Sequence, residues 1–150
     1  MYHFLKPVVM RDRAVVLACF PGRCDHNTLS NLREDLDTLS TLMEGGVVLL
    51  VATQLDEMIK NPQVLRSAGG DLDALCAASA EVQSLRSLWE GELVPLCSQY
   101  RGSLRIDTRF LVVSCVEGFE STLEVLRQRL RENVEQVFFF FFLFFLPFPL

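Results

Sequence analysis

The residues VVLLVATQLD, at positions 47–56, decide the fold of this chain. The first six, 47–52, form a continuous apolar run rich in β-branched side chains. A run with no polar alternation is typical of a strand buried on both faces, as in parallel sheets covered by helices. A second run of this kind, AVVLACF, lies at 14–20. We therefore expect two neighbouring strands of a parallel sheet, both buried on both faces.

An amphipathic helix is predicted between these two strands. Its apolar positions recur at spacings of three and four residues: Leu29, Leu32, Leu36, Leu39 and Met43. Asn27 or Thr28 is the expected N-cap and Gly45 the expected stop, so we expect the helix over 27–43. A strand, a helix and a strand in this order form a right-handed βαβ unit.

The same pattern repeats in the second half of the chain. After a polar, glycine-punctuated stretch, a helical region is predicted over 71–95, with interruptions expected at Gly91 and Pro95. A third buried strand, FLVVS, is predicted at 110–114, followed by a closing amphipathic helix over 119–136. The predicted fold is therefore α/β, with three layers and a parallel sheet. In such sheets, ligands bind beyond the carboxyl ends of the strands.

Charge and cysteine content exclude several classes of protein. The chain of 150 residues has 14 Lys and Arg against 19 Asp and Glu, a net charge of −5, and no basic cluster. It is therefore unsuited to neutralising a row of phosphates, and we expect no nucleic-acid partner. Five scattered cysteines and the lack of a signal-peptide pattern predict a cytoplasmic chain. Cys19, Cys24 and His26 lack a C-x-x-C pair and a fourth ligand, so no metal site is expected.

The C-terminal segment, 137–150, is a Phe-rich tail that we separate from a domain at 1–136. Eight of the twelve Phe residues lie in it, but only ten apolar residues precede Pro147. A helix across a bilayer needs about 20, so we expect no transmembrane span. A near-pure run of Phe, Leu and Pro is what translation of a pyrimidine-rich non-coding tract produces. We expect a non-native or disordered segment with few contacts to the domain.

Motifs at the ends of the predicted strands resemble those of Ras-like GTPases. VVLLVATQLD resembles the strand and guanine-specificity motif N/T-K-x-D, and FLVVSCVEGFESTLEVLRQRL resembles the SAK-type loop with the last helix of that family. YHFLKPVVMRDRAVVLACF is similar to the helix and strand that follow the D-x-x-G-Q motif. Among relatives, Roc domains of Roco proteins such as leucine-rich repeat kinases are most similar, because they often carry T-x-L-D. The resemblance covers about residues 2–136.

The resemblance implies GTP or GDP as the family's ligand and five residues as the base-contacting site. Asp56 would accept hydrogen bonds from the N1–H and N2 amino groups of guanine. Thr53 would brace the loop through its hydroxyl. In the loop that begins at Ser114, the backbone N–H near Cys115 would donate to the O6 atom. Gln54 stands where the family usually has Lys, whose stem covers the base.

The phosphate-binding half of such a domain is missing from the sequence. No G-x-x-x-x-G-K-S/T loop occurs, and no D-x-x-G motif precedes Tyr2. We therefore expect a partial P-loop NTPase G-domain fold that lacks the phosphate-loop half, with no catalytic residues, no GTP hydrolysis and no tightly bound nucleotide. The strand at 14–20 would lose its neighbour and become an exposed edge, through which the chain would self-associate or bind protein partners.

Two other interpretations remain open at this point. The chain could be a non-enzymatic α/β scaffold that binds proteins through its charged helices, in which case TQLD (53–56) would only cap a helix. It could also be a response-regulator-like or other doubly wound domain. That class needs an acidic pocket after its first strand, where PGRCD supplies only Asp25.

Overall fold

The computed structural model describes residues 15–42, 46–69 and 71–145, with those from 136 onward described by their backbone alone. The described residues form three strands: β1 (Val15–Pro21), β2 (Val47–Thr53) and β3 (Arg105–Asp107). They also form seven α-helices: α1 (His26–Leu42), α2 (Leu55–Met58), α3 (Pro62–Ala68), α4 (Leu72–Ala78), α5 (Ala80–Leu88), α6 (Val94–Ser98) and α7 (Glu120–Phe145). A π-helical segment, Trp89–Leu93, joins α5 to α6.

The three strands form one parallel sheet in the order β1-β2-β3. β1 pairs with β2 over its whole length, from Val15 opposite Val47 to Pro21 opposite Thr53. The first six residues of β2 are buried, as expected for a central strand covered on both faces. The predicted α/β class, the parallel sheet and the burial of β2 are confirmed.

The third strand differs from its prediction at 110–114. Regular pairing occurs at β3, where Leu49 lies opposite Asp107, whereas only Val112 forms a further bridge, to Ala52. Paired residues are 58 positions apart in the sequence at β3 and 60 positions apart at Val112. The chain between Asp107 and Val112 therefore has two extra residues, which form a bulge at 108–110. The indole N–H of Trp89 donates to the Thr108 carbonyl at 2.8 Å and holds the bulge. The apolar pattern identified the buried segment but could not show a bulge that depends on a distant tryptophan.

β1 is buried on one face only, which corrects the prediction of a strand buried on both. Phe20 is buried in the larger core, and Val16 and Ala18 pack against that core. On the other face Leu17 is 39% exposed and Cys19 is exposed. Helix α7 packs against the buried side chains of β2 and of 111–113 on that face, and it leaves these two side chains of β1 uncovered. Within the described part of the chain, β1 is an edge strand.

Helix α1 forms where predicted but is capped earlier. Its buried residues, Leu32, Leu36 and Leu39, belong to the larger core. Asp25, rather than Asn27 or Thr28, is the N-cap: its Oδ1 accepts from the Thr28 N–H at 2.8 Å and from the Thr28 hydroxyl at 2.9 Å. The hydrogen bond from the Thr28 N–H is the larger cause, and that from the Thr28 hydroxyl the second, of the lowered pKa of Asp25. The predicted helix end and stop, at 43–45, lie outside the described residues.

The helical region predicted over 71–95 is divided at Ser79, and its α-helical bonding is interrupted around Gly91, as predicted, by the π-helical segment; Pro95 lies inside α6 and does not break it. Ser79 has extended backbone angles and its hydroxyl accepts from the Val82 N–H, so it caps α5. The helix then runs on to Ser98 through the π-helical segment. Proline lacks an N–H and in an α-helix its ring collides with the carbonyl four residues earlier. The wider π turn just before Pro95 accommodates it.

Two further helices and the end of α7 also differ from the predictions. The polar stretch after β2 contains α2 and α3, whose Leu55 and Leu65 are buried. Helix α7 begins one residue after its predicted start, and its backbone continues beyond 136 to Phe145. Side chains of the tail at 137–150 lie outside the described residues, so its contacts with the domain stay a prediction. No helix of the described ranges has the length and apolar content needed to cross a membrane.

Candidate functional site

The carboxyl ends of β2 and of the segment 111–113 lie side by side. Val113 donates its N–H to the Ala52 carbonyl at 2.9 Å, and Leu55 donates its N–H to the Val113 carbonyl at 3.1 Å. These bonds hold the loop after β2 against the loop after Val113. Residues 53–56 and 114–118 therefore meet at the edge of the sheet where parallel α/β proteins bind ligands.

A short hydrogen bond joins Asp56 to Ser114 across these two loops. The Ser114 hydroxyl donates to Asp56 Oδ1 at 2.6 Å. Ser114 is buried, whereas Asp56 is half-buried and so remains accessible from outside. For the Oδ2 atom of Asp56, the described chain provides no hydrogen-bond donor. A carboxylate offers about four lone-pair sites, so one hydroxyl leaves most of its accepting capacity free.

The turn after Ser114 is held by hydrogen bonds to side chains. The Ser114 hydroxyl accepts from the Val116 N–H at 3.1 Å, and the Ser114 N–H donates to the Thr122 hydroxyl at 3.2 Å. Thr122 in turn donates to the Phe119 carbonyl at 2.7 Å. The motifs in the sequence did not identify Thr122, whose only signal is a threonine in the first turn of a predicted helix.

Cys115 lies on the exposed side of this turn. Its side chain is exposed, and its backbone N–H has no hydrogen-bond acceptor among residues 15–42, 46–69 and 71–145. The predicted site therefore brings together a partly free carboxylate at Asp56 and a free backbone donor at Cys115, on the two loops that the Asp56–Ser114 bond connects.

Thr53 and Gln54 shape the loop without pointing to a ligand. The Thr53 hydroxyl donates to the Phe20 carbonyl at 3.3 Å, so it ties the end of β2 to the end of β1. Gln54 is exposed and has a left-handed backbone, with φ 63°. That conformation costs a residue with a Cβ about 1–2 kcal/mol. It is retained here in the turn that returns Leu55 to the core, where Leu55 is fully buried.

The groups that these two loops offer to a ligand are suited to hydrogen-bond recognition. Asp56 offers hydrogen-bond acceptors and the Cys115 amide offers a donor. The Ser114 hydroxyl is bonded to the Asp56 carboxylate, but Ser114 is 3% exposed, so its oxygen is not presented to a ligand. Throughout the ranges that the structure describes, no three His, Cys, Asp or Glu side chains group as a metal site would require, and this includes Cys19, Cys24 and His26.

Comparison of the chain with protein-family profiles, with curated proteins and with solved structures gave no match. The function is therefore inferred from the geometry of the site and from the motifs in the sequence.

Proposed function

We propose that this chain is the guanine-recognising half of a Ras-like, Roc-type GTPase fold and that it binds the base weakly without hydrolysing GTP. One observation carries the proposal: the 2.6 Å hydrogen bond that joins Ser114 to Asp56 across the loops that follow β2 and the neighbouring segment 111–113. It links the two segments that resemble the guanine-specificity motif and the SAK-type loop, although 58 positions separate them in the sequence.

The free groups at the site complement one edge of guanine. The Asp56 carboxylate would accept from N1–H and from the N2 amino group, and the Cys115 N–H would donate to O6. Adenine has an acceptor at N1 and a donor at N6, so it would leave these groups mismatched. A site built around polar partners rejects an analogue that lacks them, because its own groups are then desolvated without hydrogen bonds.

The expected affinity is low because the sequence contains no phosphate loop. A hydrogen bond to a charged group contributes about 1.5–3 kcal/mol. Millimolar binding requires about 4 kcal/mol and micromolar binding about 8 kcal/mol. The base contacts alone therefore reach the millimolar range. Hydrolysis depends on positioned phosphates and Mg²⁺, for which the chain has no known motif.

A titration followed by NMR tests this proposal. Guanosine and GDP are expected to bind with similar millimolar affinity, to shift the amide signals of 54–56 and 114–118, and to be preferred over adenosine. Asp56→Ala should abolish these shifts, because it removes the acceptor of both donors of the base. Glu57→Ala is the matched control, since it removes an exposed carboxylate one position further on.

Two outcomes would contradict the proposal. Equal shifts with adenosine, or shifts that survive Asp56→Ala, would mean that Asp56 does not recognise guanine. Micromolar binding of GDP that is lost in Asp56→Ala, or hydrolysis of GTP with Mg²⁺ present, would mean that the chain has a complete nucleotide site rather than half of one.

A second candidate function is that of a non-enzymatic scaffold, and the exposed side of β1 favours it. The strand VVLACFP carries no charged residue, and Leu17 is 39% exposed because α7 covers β2 on that face and leaves Leu17 uncovered. Uncharged edge strands pair readily with other strands, because their outer backbone groups are free. A second copy of this chain is the partner that we propose.

Leu17→Lys is expected to weaken this self-association. A charged side chain on an edge strand opposes pairing because it would be desolvated in the interface. Sedimentation velocity over a range of concentrations should show a dimer for the unmodified chain and a lower dimer fraction for Leu17→Lys. Val134→Lys is the matched control, since Val134 is 37% exposed but lies on α7. A monomer at every concentration, or equal effects of both substitutions, would exclude the β1 edge as the interface.

A further inference from the structure

Thr122 connects the start of α7 to the candidate site. It is 1% exposed, and its hydroxyl makes two hydrogen bonds. It donates to the Phe119 carbonyl at 2.7 Å and accepts from the Ser114 N–H at 3.2 Å. A hydroxyl has one hydrogen to donate, so its orientation is set by the first bond and its lone pairs face the Ser114 amide.

This arrangement extends to Asp56 through the side chain of Ser114. With its backbone N–H held by Thr122, Ser114 uses its own hydroxyl twice: it donates to Asp56 Oδ1 at 2.6 Å and accepts from the Val116 N–H at 3.1 Å. A continuous series of hydrogen bonds therefore runs from Phe119 through Thr122 and Ser114 to the carboxylate. Linked hydrogen bonds of this kind polarise one another and order the groups that they join.

We propose that Thr122 is a positioning residue of the candidate site. Its buried hydroxyl holds the turn at 114–119 so that Ser114 reaches Asp56 and the Cys115 N–H stays free for an acceptor on the ligand. The part of this inference that concerns the ligand depends on the proposed function. The part that concerns the turn does not, and it is tested without any nucleotide.

Hydrogen exchange of two backbone amides tests the turn. Thr122→Val keeps the shape of the side chain and removes the hydroxyl, whereas Thr122→Ser keeps the hydroxyl. The Ser114 amide bonds directly to Thr122 and should exchange about tenfold faster in Thr122→Val. Among the residues that the structure describes, the Val116 amide bonds to Ser114 alone. If Thr122 positions Ser114, the Val116 amide should also exchange several-fold faster, and Thr122→Ser should restore both rates.

A control variant separates positioning from general loss of stability. Val82→Ala shortens a fully buried side chain in α5, which belongs to the larger core and not to this turn. It should lower the melting temperature and leave the exchange rates of the Ser114 and Val116 amides close to those of the unmodified chain. If Thr122→Val accelerates exchange of the Ser114 amide alone, or if Val82→Ala accelerates both amides as much as Thr122→Val does, Thr122 does not position the site.

Guanosine titration then tests the ligand-directed part. Thr122→Val should bind guanosine several-fold more weakly and lose the preference over adenosine, while Thr122→Ser should retain both. If the unmodified chain binds no guanosine, the proposed function fails, and the exchange rates still decide whether Thr122 orders the turn. If guanosine binding and its preference are unchanged in Thr122→Val, the positioning role fails although the proposed function stands.

Discussion

Trp89→Ala is expected to lower the free energy of unfolding by about 3–5 kcal/mol, a large share of the stability of an ordinary domain. The side chain is 1% exposed, and its ring lies 5.5 Å from that of Phe20 and 5.2 Å, edge-on, from that of Phe110. Removal leaves a cavity between the sheet and α5, and it also leaves the Thr108 carbonyl without the indole donor that holds the bulge before Val112.

Urea unfolding followed by circular dichroism measures this effect, with Trp89→Phe as the comparison. Phenylalanine fills most of the cavity but cannot donate to the Thr108 carbonyl. Trp89→Phe should therefore lower the free energy of unfolding by less, about 1–3 kcal/mol. A loss below 1 kcal/mol in Trp89→Ala would show that Trp89 does not hold the sheet and the helices together.

Asp107→Asn is expected to remove a large part of the acid sensitivity of the fold. The Asp107 side chain is 7% exposed and accepts from Arg109 Nη2 at 2.7 Å, Arg109 Nε at 3.0 Å and Asn133 Nδ2 at 3.0 Å. Burial on its own would raise the pKa of Asp107, but the hydrogen bonds from Arg109 and Asn133 lower it to about 2. These bonds connect β3, the bulge and α7.

The sign of the pH dependence follows from this lowered pKa. In the unfolded chain Asp107 titrates near 3.8, above its value of about 2 in the folded state. Its contribution to stability, about 2 kcal/mol, is therefore complete above pH 5 and is lost as the pH falls toward 2. Above pH 5 Asp107→Asn should be less stable than the unmodified chain by about that amount, because an amide replaces a charged acceptor.

Urea unfolding at pH 7, 4 and 2.5 measures this difference. The difference in the free energy of unfolding between the unmodified chain and Asp107→Asn should decrease as the pH falls. Asp73→Asn is the control: Asp73 also pairs with an arginine, Arg86, but its side chain is 77% exposed, so the steep acid dependence should remain. If the difference in the free energy of unfolding is as large at pH 2.5 as at pH 7, or if Asp73→Asn shows the same decrease, Asp107 is not the source of this pH dependence.

The elements that were predicted correctly have strong local patterns. β2 is an unbroken apolar run whose first six residues are buried, and α1 has leucines at spacings that place three of them in the larger core. β3 was missed because the residues of Arg105–Asp107 are mostly polar. The side chain of Asp107 is only 7% exposed, because Arg109 and Asn133 satisfy its carboxylate. The break at Ser79 was missed because it depends on a cap and not on glycine or proline.

The residues of the candidate site also include some that the sequence predicts and some that only the tertiary structure shows. The motifs located the two loops and named Asp56 and Ser114, since both follow apolar runs. The direct hydrogen bond between Asp56 and Ser114 depends on the register that places Val113 beside Ala52. Thr122 was not predicted, because nothing in its local sequence shows that its hydroxyl contacts the Ser114 amide. Periodicity reports which residues of one segment share a face, and it carries no information about the distance between segments.

Local pattern was thus sufficient for the class of fold, the parallel direction of the strands and the position of the loops at their carboxyl ends. Contacts between distant segments settled the two-residue bulge before Val112, the exposure of Leu17 and Cys19 on β1, and the bonded series from Thr122 to Asp56. The reason is physical. Hydrophobic burial acts on every segment and leaves a repeating pattern, whereas hydrogen bonds between loops depend on a few atoms whose positions exist only after the sheet and helices have packed.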